Sequence, residues 1–470
     1  MAVDTPSNDY MDHIDDWELL DDVHKGERAI KKGGTKYLPM LGGQDAPEYA
    51  KYKDRGSFFN AFGRTVQGLV GYIFRKDGEY SVPQKVEDMF PTIMSTGQGY
   101  DNLRRKATNA VLKYGRVGLL VDAQGESDPY IAIYEPSAII KARVTYINGK
   151  ETLTLLILKE IVSVETDKQF EFDEIEQYRS FELKEDIVEV NVWAKEKKTD
   201  KWVITEGPIY PKIMGKYADE ICFYFIGSEE NSAAINKPPL LDMAYVSINH
   251  WRYSVDYNHG LHFCALPTPW AAGFDADQTL TIGPVNVWRS DDPQAQCGFL
   301  EFTGQGLSTL RVAMDKAEEQ MAILGARIIE QTRSRVETAE AARIRQSGES
   351  GALTSIVNNV SAGLTDALQM FCRWVGADGT DVYDKLNTDF IDTQLTPQEL
   401  TALLKAYQAG GISLDTFLWN LEQGELLPEY TSIEDEKLRI EAEGMDSFDN
   451  EDNENDNNEN DENDEDSITQ

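Results

Sequence analysis

At roughly 150 residues per domain, a chain of 470 residues has room for about three domains, and 41% apolar residues with 10% aromatics can fill several cores. Acidic residues number 82 against 45 basic ones, a formal charge of −37, which argues against a protein that grips nucleic acid through its overall field. Residues 441–470 hold 14 of the acids and no Lys or Arg, and the first 440 residues still carry −23, so the body is acidic in its own right.

From Met1 to Asp22 the chain is acidic where a signal peptide needs a basic start and an apolar stretch, so no export is expected. Residues 1–57 mix charges, Gly and Pro, with short helical pieces around Tyr10–His24. From Phe58 the period turns helical, with Phe62, Val66, Leu69, Val70, Ile73 and Phe74 on one face. A second amphipathic helix is predicted over Asp101–Tyr114, ended by Gly115 as a C-terminal glycine would end it. Gly118–Asp122 then reads as a buried strand.

Between Tyr130 and Phe225, Val, Ile, Tyr and Thr gather in short runs (Ile131–Tyr134, Thr152–Leu158, Ile187–Ala194, Trp202–Thr205, Ile221–Ile226) separated by Gly, Asn, Asp and Lys clusters. That is the pattern of a mainly antiparallel sheet domain. The apolar stretches here are far shorter than the ~20 residues that span a bilayer, and no membrane crossing is expected.

Pro238-Pro239 opens a long helix with Leu241, Tyr245, Ile248, Trp251 and Val255 in a stripe to about Cys264, some 40 Å at ~1.5 Å per residue. It is predicted to stop at Leu266-Pro267-Thr268-Pro269, where two prolines remove donors and bias their predecessors away from helix. Residues 270–304 read as strand-like over Thr279–Ile282, Val285–Arg289 and Gly298–Phe302. A returning helix follows from Ser308 to Glu330 on Leu310, Ala313, Ala317, Met321, Leu324 and Ile328. After the basic stretch Thr332-Arg333-Ser334-Arg335 the helical pattern resumes to Arg345, and Gly348 and Gly351 break it. A third long helix is predicted from Leu353 to Val375 on Ile356, Val360, Leu364, Leu368, Phe371 and Trp374. Thr396-Pro397-Gln398-Glu399 is a strong helix start, and Gly410-Gly411 with Ser413 turns the chain into a helical hairpin. Beyond Tyr430 the chain is charged, and from Met445 it is an Asp/Glu/Asn tract that cannot bury a core.

Phosphate loops, nucleophile elbows and HExxH signatures are missing from the sequence. Cys222, Cys264, Cys297 and Cys372 are widely spaced, which predicts reduced, mostly buried thiols rather than a zinc site or disulfide framework. His250, His259 and His262 are the most tempting metal ligands. Nine residues of helix place His250 half a turn out of phase with His259, leaving His259 and His262 as a pair that is more often an interface feature than a ligand set. No metal or cofactor is expected, and no enzyme activity. A metal-dependent hydrolase built on His259 and His262, or an acidic scaffold or adaptor, are the alternatives. Acidic pairs such as Asp291-Asp292 read as solvated turns. Arg333, Arg335, Arg343 and Arg345 form the one dense basic cluster, either a solvated helix face or a loop facing phosphate. Trp270, Phe274 and Trp288 are either a small core of the turn-rich insert or interface anchors.

Several local sequences and the element order resemble the portal proteins of tailed bacteriophages, in a branch catalogued as a phage domain of unknown function. They are Gly71-Tyr72-Ile73-Phe74-Arg75-Lys76, Gly115-Arg116-Val117-Gly118-Leu119-Leu120-Val121-Asp122, Leu266-Pro267-Thr268-Pro269-Trp270-Ala271-Ala272-Gly273 and Glu337-Thr338-Ala339-Glu340-Ala341-Ala342-Arg343. The resemblance covers roughly 58–430 and implies an α+β portal-type subunit. Its parts would be an α/β wing (58–236), a first stem helix (237–265), a small β-containing clip (266–305), a second stem helix (306–330), a tunnel loop region (331–352), a long wing helix with its connection (353–394) and a helical crown (395–430); an N-terminal segment (1–57) and an acidic disordered tail (431–470) flank them, and the resemblance does not place the tail.

The resemblance further implies a homo-oligomeric ring, usually of twelve subunits, at a capsid vertex of the virion, assembled in the host cytoplasm. Double-stranded DNA would pass through its channel. Terminase large subunit and a head-tail adaptor would dock on it, beside major capsid protein and scaffold protein. It puts Arg333 and Arg335 near the narrowest level, and Trp270, Phe274 and Trp288 in the clip interface.

Overall fold

The computed structural model describes residues 2–125, 128–165, 170–196, 199–265, 268–275, 279–281, 287–300, 304–329, 351–390, 397–423, 433–440 and 442. Its contacts divide into two units, Met1–Phe390 and Ile391–Gln470. The architecture is α+β.

The first unit begins with helices α1 (Asn8–Lys25), α2 (Glu27–Gly33), α3 (Ala46–Arg55) and α4 (Ala61–Ile73). Ser7 Oγ accepts from the Tyr10 amide at 3.3 Å to start α1. Asp45 and Glu48 close a capping box on α3, with the Glu48 amide 2.8 Å from Asp45 Oδ1, satisfying donors the first turn leaves orphaned. The N-terminal stretch is therefore more ordered than short helical pieces: α1 is a single helix that buries Trp17, Leu20 and Val23. As its stripe predicts, α4 buries Phe62, Val66, Leu69 and Ile73.

Strand β1 (Glu79–Ser81) and the short α5 (Gln84–Glu87) lead to α6 (Tyr100–Tyr114). Gly115 takes φ +79° and ψ −9° and donates to Val111 O, ending α6 in the left-handed conformation. A side chain here would meet Asn236 O and the Pro238 backbone at 2.9–3.0 Å, so both conformation and space call for glycine.

Among the described residues ten strands follow the helices in two separate sheets and a small hairpin, and not in a single sheet domain: β2 (Arg116–Asp122), β3 (Tyr130–Tyr134), β4 (Ile139–Ile147), β5 (Lys150–Glu165), β6 (Phe172–Lys184), β7 (Ile187–Lys195), β8 (Trp202–Ile209), β9 (Lys212–Ile213), β10 (Lys216–Tyr217) and β11 (Phe223–Gly227), with β1 pairing elsewhere. β4 to β8 form a five-stranded antiparallel meander. β2 is the centre of a three-stranded sheet between β11 and β3. Its run of buried residues from Arg116 to Val121 is the continuous apolar pattern of a strand covered on both faces.

Helices α7 (Leu241–Ala265) and α8 (Gln305–Ile329) bracket β12 (Thr268–Ala272) and β13 (Gln296–Leu300). In this insert the expected strands at 279–282 and 285–289 are not strands over the described positions 279–281 and 287–289. Instead Thr268 to Ala272, which begins inside the predicted helix stop Leu266–Pro269, pairs antiparallel with Leu300 to Gln296. Proline is tolerated there because a two-stranded ribbon has free edges that need no donor.

Helix α9 (Gly351–Val375) crosses the body and buries Ile356, Val360, Leu364, Leu368 and Phe371; β14 (Tyr383–Lys385) then pairs with β1. Behind α9 the side chain of Asp384 is fully buried, with its Oδ2 2.9 Å from Arg104 Nε and 2.7 Å from the donating Tyr100 hydroxyl.

In the second unit, α10 (Pro397–Gln408) and α11 (Leu414–Gln423) are joined through Gly410 at φ +71°, and Ser413 Oγ accepts from the Thr416 amide at 3.2 Å. Tyr407 and Phe417 stack at 4.9 Å. Residues 433–440 are helical, with Lys437 Nζ 2.7 Å from Asp415, so regular structure reaches past the point where the tail was expected to begin.

Candidate functional site

The feature that stands apart from the packed body is the hairpin of α7 and α8 with its two-stranded tip. Its two 25-residue helices are each about 37 Å long. They run antiparallel in a fixed register. Met243 lies against Gly325, Ser247 Oγ reaches Met321 Sδ at 3.2 Å, His250 Nε2 lies 3.1 Å from Glu318 Oε1, and Gly260 faces Leu307. Partner positions fall on one helix as they rise on the other, spaced by four, three and ten residues on α7 and four, three and eleven on α8, which keeps one stripe of each helix on the seam.

The first half of α7 belongs to the core, with Leu241, Ala244, Ile248, Trp251 and Val255 buried. Its outer side is held by the N-terminal segment. Tyr245 donates to Asp16 at 2.6 Å, Arg252 to Tyr37 O at 2.6 Å, Ser254 to Ser57 O at 2.8 Å and Asn258 to Arg55 O at 2.9 Å. Tyr52 donates to Asp256, and Arg55 Nη1 lies 3.0 Å from His259 Nδ1. Burial, helped by the Arg55 cation, lowers the His259 pKa and keeps the ring neutral near pH 7. Nothing in the sequence pattern announced this strap as a partner of α7.

Beyond His259 the cover ends. Leu261 and Phe263 are exposed, and between the helices a cleft of about 460 Å³ is lined by Asp256, Gly260, Phe263, Cys264, Leu307 and Leu310. At the tip, Trp270 is 43% exposed and lies across Gly298, its cross-strand partner. Phe274 and Trp288 meet edge to face at 6.3 Å, and Trp288 Nε1 donates to Thr281 O at 2.9 Å. Val287, Phe299 and Leu300 are more than half exposed. The three aromatics singled out from the sequence thus divide into a contacting pair and one ring spread on the hairpin surface. Charges nearly cancel on the helices: α7 carries −1 and α8 none, in a chain of −37.

His250 and His259 engage different helices, Glu318 on α8 and Arg55 on α3, as their half-turn offset requires. Among the described residues no group of three or more His, Cys, Asp or Glu side chains is arranged to hold a metal, and no helix is long and apolar enough to cross a membrane. Of the four thiols, Cys222 and Cys372 are buried, Cys264 is half-buried and Cys297 is exposed, so burial is less general than expected. Burial pushes the Cys222 thiol up to about 12. Arg333, Arg335, Arg343 and Arg345 lie outside the described residues.

No curated protein matches the chain. Among solved structures it is similar to a chain from the neck of a native GTA particle computed with C12 symmetry, at 12% identity and TM-score 0.37, covering 78% of this chain and 89% of that one. It is also similar to a chain of the virion of the native gene transfer agent (GTA) particle, at 12% identity and TM-score 0.38, covering 85% and 99%. A chain from the neck of the empty GTA particle computed with C6 symmetry is similar at 13% identity and TM-score 0.36, covering 86% and 99%. Residues 239–375, which span α7, the insert, α8 and α9, match the family model described as Domain of unknown function (DUF4055).

Proposed function

We propose that this chain is a portal subunit: a non-enzymatic component of a virion that forms a closed ring around a DNA channel and offers the α7–α8 tip to other particle proteins. The observation that carries the reading is the hairpin itself. Two helices of equal length are fixed to the body at one end and uncovered at the other, with exposed apolar residues and a β tip. Such helices pack side by side with copies of themselves around an axis, and the tip is left outside that packing for a motor or adaptor to bind. The near-neutral pair of helices in an acidic chain suits a conduit, because each Lys or Arg on a phosphate adds to binding by counterion release and would hold the duplex still.

On this reading 58–236 serves as wing, 237–265 and 306–330 as stem, 266–305 as clip, 353–394 as wing helix and 395–430 as crown, with Arg333, Arg335, Arg343 and Arg345 in the tunnel loop region. Terminase large subunit and a head-tail adaptor are the clip partners, and major capsid and scaffold proteins contact the outside. The test is electron microscopy with mass measurement on purified protein. Twelve copies of a 52.9 kDa chain give a ring of about 635 kDa with a hole wide enough for B-form DNA. Monomers alone, or open filaments, at high protein concentration would refute the reading.

A further inference from the structure

Two surfaces outside the hairpin carry opposite charge that is only partly answered among the described residues of one chain. The first is a ribbon at one end of the five-stranded sheet. β4 pairs β5 only as far as Leu158, and β7 pairs β6 only from Gln177, yet β5 and β6 continue to pair from Ile161↔Glu176 to Glu165↔Phe172. Those five pairs project about 17 Å at ~3.4 Å per residue. The ribbon's residues 161–165 and 170–176 hold five acidic residues and no Lys or Arg. Ile161, Phe170 and Phe172 are 66%, 86% and 63% exposed. Lys159 neutralises Glu176 at 2.5 Å, but among the described residues Glu165, Asp173 and Glu174 take no ion pair.

The second surface is the face of α2 and α3. Residues 25–55 hold eight basic residues against four acidic ones, a net of +4 in a chain of −37. Lys31 and Lys36 are paired with Glu27 and Glu18; Arg28, Lys32 and Lys51 are exposed and take no ion pair among the described residues. Beside them the loop between α2 and α3 exposes Met40 and Leu41 by 43% and 47%. Both surfaces therefore combine exposed apolar groups with uncompensated charge, of opposite sign.

Among the described residues no ion pair or side-chain hydrogen bond joins them within one chain. The N-terminus is tied to the sheet at the root of the ribbon, where Val3 packs with Ile140, Ile157 and Tyr178 and Trp202 donates to Asp4 at 2.8 Å. α1 then carries the chain about 27 Å further before α2 begins at Glu27. An isolated apolar ribbon with two free edges is a liability unless something covers it.

We infer that the acidic ribbon formed by residues 161–165 and 170–176 docks on the basic α2–α3 face of a second copy of this chain. The contact is heterologous, so repeating it generates a ring when the rotation closes. The opposite charges set its register and speed its formation. The inference rests on the portal reading only in taking the next subunit as the partner.

The test is zero-length cross-linking of carboxylates to lysines in the full-length protein, with a charge swap. Links between Glu165, Asp173 or Glu174 and Lys32 or Lys51 are expected between molecules, and linked species should disappear in E165K/D173K/E174K and in R28E/K32E/K51E. Mixing the two variants pairs each reversed surface with its new complement and should restore assembly. Assemblies without these links, or variants that assemble as the wild type does, overturn the docking. Links found in particles that are not rings keep the docking and fail the portal reading; rings without them do the reverse.

Discussion

Asp384→Ala tests how the body is locked behind α9. Asp384 is the anionic partner of Arg104, and the two side chains are 0% and 5% exposed. Removing the carboxylate strands a buried guanidinium and leaves the Tyr100 hydroxyl without its acceptor. Breaking a buried pair in this way costs about 3–5 kcal/mol. Arg104 would keep the Tyr100 and Tyr80 rings at 5.6 and 5.9 Å, and Asp101 at 3.8 Å is 86% exposed, so little charge compensation remains and a loss of about 3–4 kcal/mol is expected. Denaturant unfolding at fixed protein concentration, followed by tryptophan fluorescence, reads the loss as a shift of midpoint at constant slope. R104L/D384A should recover most of it, since replacing both charges by apolar groups is often close to neutral. A single variant within 1 kcal/mol of wild type, or a double variant no better than the single, would refute the reasoning.

Asp21 joins α1 to α6 through Lys113 at 2.8 Å, with Lys25 beside it. Burial raises its pKa, but the hydrogen bonds from Lys113 and Lys25 outweigh that, and the net direction is down. A carboxyl depressed in the folded state stabilises above its unfolded value of about 3.9 and loses that contribution as pH falls through the folded value. D21N should therefore cost about 1–3 kcal/mol at pH 7, and its difference from wild type should shrink below about pH 4; a difference that is the same at pH 3 and pH 7 would exclude the mechanism. Gly115→Ala forces a left-handed residue against backbone at 2.9–3.0 Å and should lower stability by about 1–3 kcal/mol in thermal unfolding, whereas Gly68→Ala, inside α4 where a Cβ meets open space, should raise it by about 0.5–1 kcal/mol. Replacing Trp270 and Phe274 with Ser should leave rings visible in micrographs but abolish DNA packaging in an assembly assay; normal packaging would remove the docking role of the tip.

Much of this molecule was legible one segment at a time. The stripes of α4, α7, α8 and α9 repeat every three to four residues, and each was placed within a turn or two, because a helix face that must be buried imposes its period on the sequence. Gly115 and Ser413 mark helix ends because the orphaned amides and carbonyls of a helix terminus accept few residue types. The portal reading began there as well, in short local sequences along the chain. Tertiary structure decided what those signals cannot encode. The split of the strands into a meander and a β2-centred sheet depends on which edges meet, and alternation is the same for either pairing. Thr268–Ala272 became a strand where two prolines promised only a stop, since its partner lies beyond a long loop. The strap of Asp16, Tyr37, Tyr52 and Arg55 along α7 and the burial of Asp384 beside Arg104 join residues more than 200 positions apart. No local period records such a contact, because its free energy comes from the burial and desolvation that folding alone creates.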